Sequence, residues 1–196
     1  MMYRAFRLLP VISLVLLTKA LPQPHSNANS APVASMQRKL DQVESNAART
    51  NPDTAPTEFT ENEVNSYLAS DQIKLPAGVK SVKLQGQPGV ITGNSQIDFE
   101  QIKAGKASYN PLLSVFTGVH EVVVIAHAYG KAGQGFVQVD SVALDGIEIP
   151  RFALQLFVEK YLQPKYPDVG LDSRFKLPDR VDNATVGVHK LTVVQK

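Results

Sequence analysis

The chain has 196 residues, a length that suits about one domain with a sizeable core, and only 19% of them are charged, which excludes a disordered tail protein. The formal net charge is +2, but Arg4, Arg7 and Lys19 are part of it; without them 17 basic residues stand against 18 acidic ones, and no basic block remains to neutralise phosphates, which excludes nucleic acid as a partner. Cysteine is absent, so disulfides, thiolate metal sites, cysteine nucleophiles and a lipidated N-terminal cysteine are excluded as well.

The first twenty residues read as an export signal. Arg4 and Arg7 precede an apolar stretch, residues 8–17, and Thr18-Lys19-Ala20 supplies a small-residue cleavage site. The apolar run is about ten residues where a spanning helix needs about twenty, so an uncleaved anchor is the lesser alternative. The expected location is periplasmic or secreted. Residues 21–56 are a linker rich in Pro, Asn and Ser, and within it residues 33–49 carry Met36, Leu40, Val43 and Ala47 at helical spacing. This amphipathic helix is the candidate surface for an envelope protein partner.

Residues 57–196 are expected to form one α+β domain. Thr60-Glu61-Asn62-Glu63 fits a capping box, with Phe59 and Val64 at the staple positions, and Val64, Tyr67 and Leu68 form the inward face of the helix that follows. After Pro76-Ala77-Gly78 the period becomes two. Val82 and Leu84 alternate with Lys83 and Gln85; beyond Pro88-Gly89, Ile91, Ile97 and Phe99 oppose Thr92, Asn94, Gln96 and Asp98. Leu112, Leu113, Val115 and Phe116 make a short apolar segment after the Asn110-Pro111 break.

Residues 121–129 put Val122, Val124, Ala126 and Ala128 on one face and Val123, Ile125 and Tyr129 on the other, which predicts a central strand covered on both sides. The Gly-rich segment 130–135 has no Gly-Lys-Ser/Thr ending and reads as a hairpin turn, not a phosphate loop. In the next strand Val137 and Val139 are out of parity with Val142 and Leu144, which a bulge near Asp140-Ser141 reconciles. Asp145-Gly146 predicts a tight turn. From Pro150 or Arg151 to about Leu162 the chain predicts a helix apolar on most of its circumference, with Arg151, Gln155, Glu159 and Gln163 as a narrow polar stripe. Pro164 and Pro167 end it. The tail, with a turn near Asp182-Asn183, predicts one or two closing strands. Lys74-Leu75-Pro76 before Val79 is echoed by Lys176-Leu177-Pro178 before Val181, which suggests two equivalent strands entered through a Leu-Pro kink.

No catalytic constellation emerges. His25 is in the linker. His120 and His127, seven apart on a strand, point to opposite faces. Asp98, Glu100, Asp140, Asp145 and Glu148 fall at strand ends and turns. No metal or cofactor is expected, and the chain reads as a non-enzyme, with a hydrolase built around His127 or His189 the remote alternative.

The order of these signals resembles small exported bacterial domains related to the tubular lipid-binding superfamily. The resemblance is carried by residues 59–68 (Phe-Thr-Glu-Asn-Glu-Val-Asn-Ser-Tyr-Leu), by Leu144-Asp145-Gly146-Ile147-Glu148-Ile149-Pro150 before a helix, and by Phe175-Lys176-Leu177-Pro178, and it covers roughly residues 57 to 196. It implies a curved, mostly antiparallel, meandering sheet wrapped around a long apolar helix, with an apolar groove for acyl chains. On the residues alone, a filled core and an apolar cavity are both open. The candidate groove residues are Phe152, Leu156 and Phe157 on the helix, Val124 and Ile125 on the central strand, and Leu112 and Phe116 at the lip. The expected function is lipid or apolar-ligand binding in the cell envelope; the alternative is an envelope adaptor with a fully packed core and no small-molecule ligand.

Overall fold

A computed structural model of the chain describes residues 30–104, 117–164, 167 and 169–196. The expected signal at residues 1–20, the linker up to residue 29, and Leu112 and Phe116 lie outside the described residues. The described residues form an α+β fold around an open, antiparallel sheet of nine strands. In chain order these are α1 (Ser30–Ala47), β1 (Thr57–Thr60), α2 (Glu61–Leu68), β2 (Val79–Gln87), β3 (Val90–Asp98), α3 (Phe99–Ala104), β4 (Val119–Lys131), β5 (Gln134–Leu144), β6 (Ile147–Glu148), α4 (Arg151–Phe157), a π-helical turn (Val158–Leu162), β7 (Asp172–Lys176), β8 (Val181–Gly187) and β9 (Lys190–Gln195). No described helix is long and apolar enough to cross a membrane.

The sheet forks at β4. One edge of β4 pairs with β3 from Val119 to His127, and β8 takes over at Tyr129 and Gly130. Beyond β8 lie β9 and β1; beyond β3 lies β2. The other edge pairs with β5, which is met at one end by β7 and at the other by β6. Two hairpin turns fall where the sequence places them. Ala132-Gly133 and Asp145-Gly146 both adopt positive φ, as two-residue hairpin turns require. The register of β4 and β5 skips Asp140, between Ile125–Ser141 and Ala126–Val139, which is the expected bulge.

The Leu-Pro echo is structural. Val79 N donates to Pro76 O at 3.0 Å and Val181 N to Pro178 O at 2.9 Å. Each strand then shifts register one residue later, between Val79 and Ser81 and between Val181 and Asn183. Each ends in a two-residue turn, and the two tips are joined reciprocally: Gly89 N donates to Val186 O, and His189 N to Gly86 O. The tail turn is therefore at Val188-His189; Asp182, expected near a turn, is the extra residue of the bulge.

The capping box forms as its residues predict. Thr60 Oγ1 accepts from Glu63 N at 3.2 Å, and Glu63 Oε2 accepts from Thr60 N at 2.8 Å. Glu63 does more than cap α2. It also takes Lys39 Nζ at 2.7 Å and Ser35 Oγ at 2.6 Å, both from α1. Burial alone would raise its pKa, but these hydrogen bonds and those from Thr60 outweigh it and hold the carboxyl at about 2.

The core occupies one face of the sheet in two clusters. In the first, Leu40 and Val43 of α1 and Tyr67 and Leu68 of α2 meet Phe59, Leu84, Val181 and Val193. The apolar face of α1 is thus consumed inside the domain: Leu40 and Val43 are buried and Met36 packs beside them, so these side chains are closed to the envelope partner expected there. The second cluster joins Ala126, Ala128, Val137 and Val139 of β4 and β5 to Val158 and Leu171, with Leu154 and Leu162 alongside. Ile91, Phe175 and Leu191 touch both clusters.

A buried carboxamide pair ties α1 to the sheet. Asn46 Nδ2 donates to Gln195 Oε1 at 2.9 Å and to Asp53 O, and Asn46 Oδ1 accepts from Asp53 N; Gln195 Nε2 donates to Val43 O and Asp179 O. Removing one partner strands the other's polar atoms away from water. Asn46→Ala is expected to lower the unfolding free energy by about 2 kcal/mol in urea titrations; an unchanged midpoint would show that the clasp is dispensable.

Candidate functional site

The site is built from α4 upward. Pro150 precedes the helix, where its fixed φ and missing N–H carry no penalty. Arg151 then pins the helix start to the gap in β5's outer edge. Its guanidinium donates to Val139 O at 3.0 Å and to Asp172 Oδ2 at 2.6 Å, while Val139 N donates to Leu171 O. Leu154, Val158 and Leu162 face the second core cluster, and Gln163 N reaches back five residues to Val158 O at the π turn.

The helix is not wrapped by the sheet. It lies on one face, so only its inner side is covered. Phe152 and Leu156, one helical turn apart on its outer side, remain 71% and 51% exposed, and Ile147 on β6 is 72% exposed. The expectation of near-complete enclosure is corrected by this arrangement, because an open sheet offers a helix a single contact surface. Phe157 is half-buried on the same helix.

The strand residues separate. Val124 packs into the second core cluster, on the helix-bearing face. Ile125 is on the opposite face and 37% exposed, the face that also carries Tyr129 at 54%. Successive strand residues alternate between faces, so Val124 and Ile125 cannot line one groove. For the same reason β4, although central in pairing order, is not covered on both sides as its composition suggested. A cavity of about 40 Å³ is lined by Gln42, Asn46, Arg49, Asp53, Ala55, Thr57 and Gln195. Its polar wall and water-sized volume suit solvent, not an acyl chain.

Each described histidine is paired with a carboxylate. His120 Nδ1 lies 2.5 Å from Asp145 Oδ2, His127 Nδ1 2.7 Å from Asp140 Oδ2, and His189 Nδ1 2.8 Å from Glu61 Oε2. The His120 hydrogen bond and the Glu121 amide hold Asp145 below the usual carboxylate range. Burial pushes Glu61 up, but His189 and the Gly86 amide outweigh it and leave the pKa lowered. The His127–Asp140 pair is solvated, and no described hydroxyl lies within hydrogen-bond distance of His127 to act as its nucleophile. Among the described residues no three His, Asp or Glu side chains are placed to hold a metal.

The sequence reading missed one grouping on the face away from the core. Tyr129 and Phe136, cross-strand partners on β4 and β5, stack with centroids 4.8 Å apart and an interplanar angle of 15°. The Arg174 guanidinium lies 4.8 Å from the Phe136 centroid. Their outward parity on adjacent strands was legible; the pairing of β7 with β5 that adds Arg174 was not. No family model, curated protein or solved structure matches the chain.

Proposed function

We propose that this chain is an exported, non-catalytic binding module of the cell envelope that takes up a lipid or another apolar ligand against the outer side of α4. The observation that carries the reading is the exposure of Phe152 and Leu156 one turn apart, on a helix whose inner side already fills the core. Fully covering such side chains is worth about 1.5–3 kcal/mol each, a driving force that folding leaves unused. The resemblance of residues 144–150 and 175–178 to tubular lipid-binding domains points the same way. The adaptor alternative loses its intended docking face, because Leu40 and Val43 of α1 are internal.

The test is native mass spectrometry of the protein purified gently from its own envelope, joined to uptake of a fluorescent fatty acid. A reproducible adduct in the phospholipid range, and uptake weakened tenfold or more by the double substitution Phe152→Ser, Leu156→Ser, is the expected result. Both changes are at exposed positions, so the melting temperature should hold. A bare mass together with no fatty-acid uptake would transfer the assignment to a packed adaptor domain.

A further inference from the structure

The face of the sheet turned away from α1, α2 and α4 has an ordered grid at the β4–β5 turn. One cross-strand row reads Lys131, Gln134, Lys176 across β4, β5 and β7; the next reads Tyr129, Phe136, Arg174. Lys131, Arg174 and Lys176 are exposed, and none has a carboxylate partner among the described residues. The nearest carboxylates on these strands and on the adjoining β8 have other partners: Asp172 pairs with Arg151, Asp182 with Lys196, and Asp140 is hydrogen-bonded to His127. Three cations without an ion-pair partner among the described residues therefore share one face of the sheet, about 10 Å across, with an aromatic pair.

We infer that this face docks the protein on an anionic phospholipid bilayer. The surface lies opposite α4, so the inference goes beyond the apolar-ligand reading and does not depend on it. Charge complementarity supplies the attraction, because basic side chains held at an anionic leaflet each strengthen binding severalfold. The aromatic geometry selects the partner. Phe136 is sandwiched between the Tyr129 ring and the Arg174 guanidinium, so both its faces are covered. A single-stranded nucleic acid needs open ring faces on which bases stack. What the stack presents outward is ring edges and the exposed Tyr129, an apolar body with a polar tip that suits the headgroup layer.

The experiment is vesicle flotation of the full chain with phosphatidylcholine vesicles and with vesicles containing one-third phosphatidylglycerol. Residues 1–29, with Arg4, Arg7 and Lys19, are common to every variant, so the difference between the unchanged protein and the charge variants reports the sheet face alone, and an anionic preference that those variants leave unchanged would overturn the inference. The expected result is preferential flotation with the anionic vesicles that is lost at high salt. The triple variant Lys131→Glu, Arg174→Glu, Lys176→Glu should weaken it on the order of a hundredfold, and Lys131→Gln with Lys176→Gln, which spares the aromatic stack, by at least tenfold. Circular dichroism of each variant guards against misfolding. Phe152→Ser with Leu156→Ser should leave the anionic preference intact, which separates this inference from the α4 reading. Equal flotation with both vesicle types would overturn it. So would binding to soluble polyphosphate, sensitive to the same variants, with no flotation.

Discussion

Glu63→Ala is expected to destabilise the protein by about 3 kcal/mol at neutral pH, the usual scale for removing one partner from a largely buried, hydrogen-bonded ion pair. The carboxylate is at a three-way junction: it caps α2 through Thr60, receives Lys39 and Ser35 from α1, and is only 10% exposed as a side chain. Its loss strands Lys39 against Glu58 O and leaves the first turn of α2 without its reciprocal cap. The pH dependence carries a second signature. The folded carboxyl titrates near 2 against 4.5 in the unfolded chain. A lowered pKa gives stability that is complete above the unfolded value and is lost as pH falls toward the folded one, a span worth about 3 kcal/mol. Urea titrations at pH 7 and pH 3 should therefore show a wild-type advantage that shrinks with acidification. Parallel losses in both proteins, with a constant gap, would mean that another carboxylate sets the acid limb.

Gly130→Val should be at least as damaging. A Cβ at Gly130 would sit 2.7 Å from Ala184 Cβ, 2.8 Å from Ala184 N and 2.8 Å from Leu177 Cδ1. One of those atoms is backbone of β8, so no rotamer change relieves the contact. The strands pair here through only Tyr129–Thr185 and Gly130–Ala184, and these two steps, with the Gly133–Asp182, Gly89–Val186 and His189–Gly86 backbone bonds, join the β8–β9–β1 branch to the rest of the sheet. Overpacking a core position costs about 1–3 kcal/mol, and parting a ladder at its junction places this substitution at or above the upper end. The expected outcome is a drop of about 3 kcal/mol in unfolding free energy, with increased protease sensitivity of residues 181–195 before the rest. A melting temperature within a degree or two of wild type would show that β8 can be displaced without penalty.

Much of the local structure was legible because it is written in short-range chemistry. The Thr60–Glu63 box, the Asp145-Gly146 turn and the parity change across Asp140 each depend on residues within a few positions of one another, and each forms as read. The Leu-Pro echo was legible for the same reason: a proline followed by a turn bond to a valine three residues on is a local event, repeated at Pro76 and Pro178. Phe99 fits the parity of β3, but Asp98, whose carboxylate accepts from Glu100 N and Gln101 N, starts α3 there instead.

The candidate site was less legible, and the reason is geometric. The amphipathic pattern of α1 says that one face seeks cover, not whether that cover is a partner or the chain's own α2 and sheet. The apolar circumference of α4 says that it carries more hydrophobic surface than a single contact needs, not which side remains outside. Val124 and Ile125 have similar composition and opposite fates, since pairing alone assigns one to the core and the other to solvent.

The Asp145-Gly146 turn, the Thr60–Glu63 cap, the two-residue period of the strands and the absence of cysteine chemistry follow from backbone sterics and side-chain type within a few residues, and the order of residues alone carries them; the tail turn, expected near Asp182-Asn183, falls at Val188-His189 because the pairing of β8 with β9 sets it. The fork of the sheet at Gly130, the packing of α1, α2 and α4 on one face of it, and the convergence of Lys131, Arg174 and Lys176 on Tyr129 and Phe136 took long-range pairing to establish. Those outcomes depend on which strands pair across tens of residues, where the free energy comes from burying faces that only long-range contacts bring together.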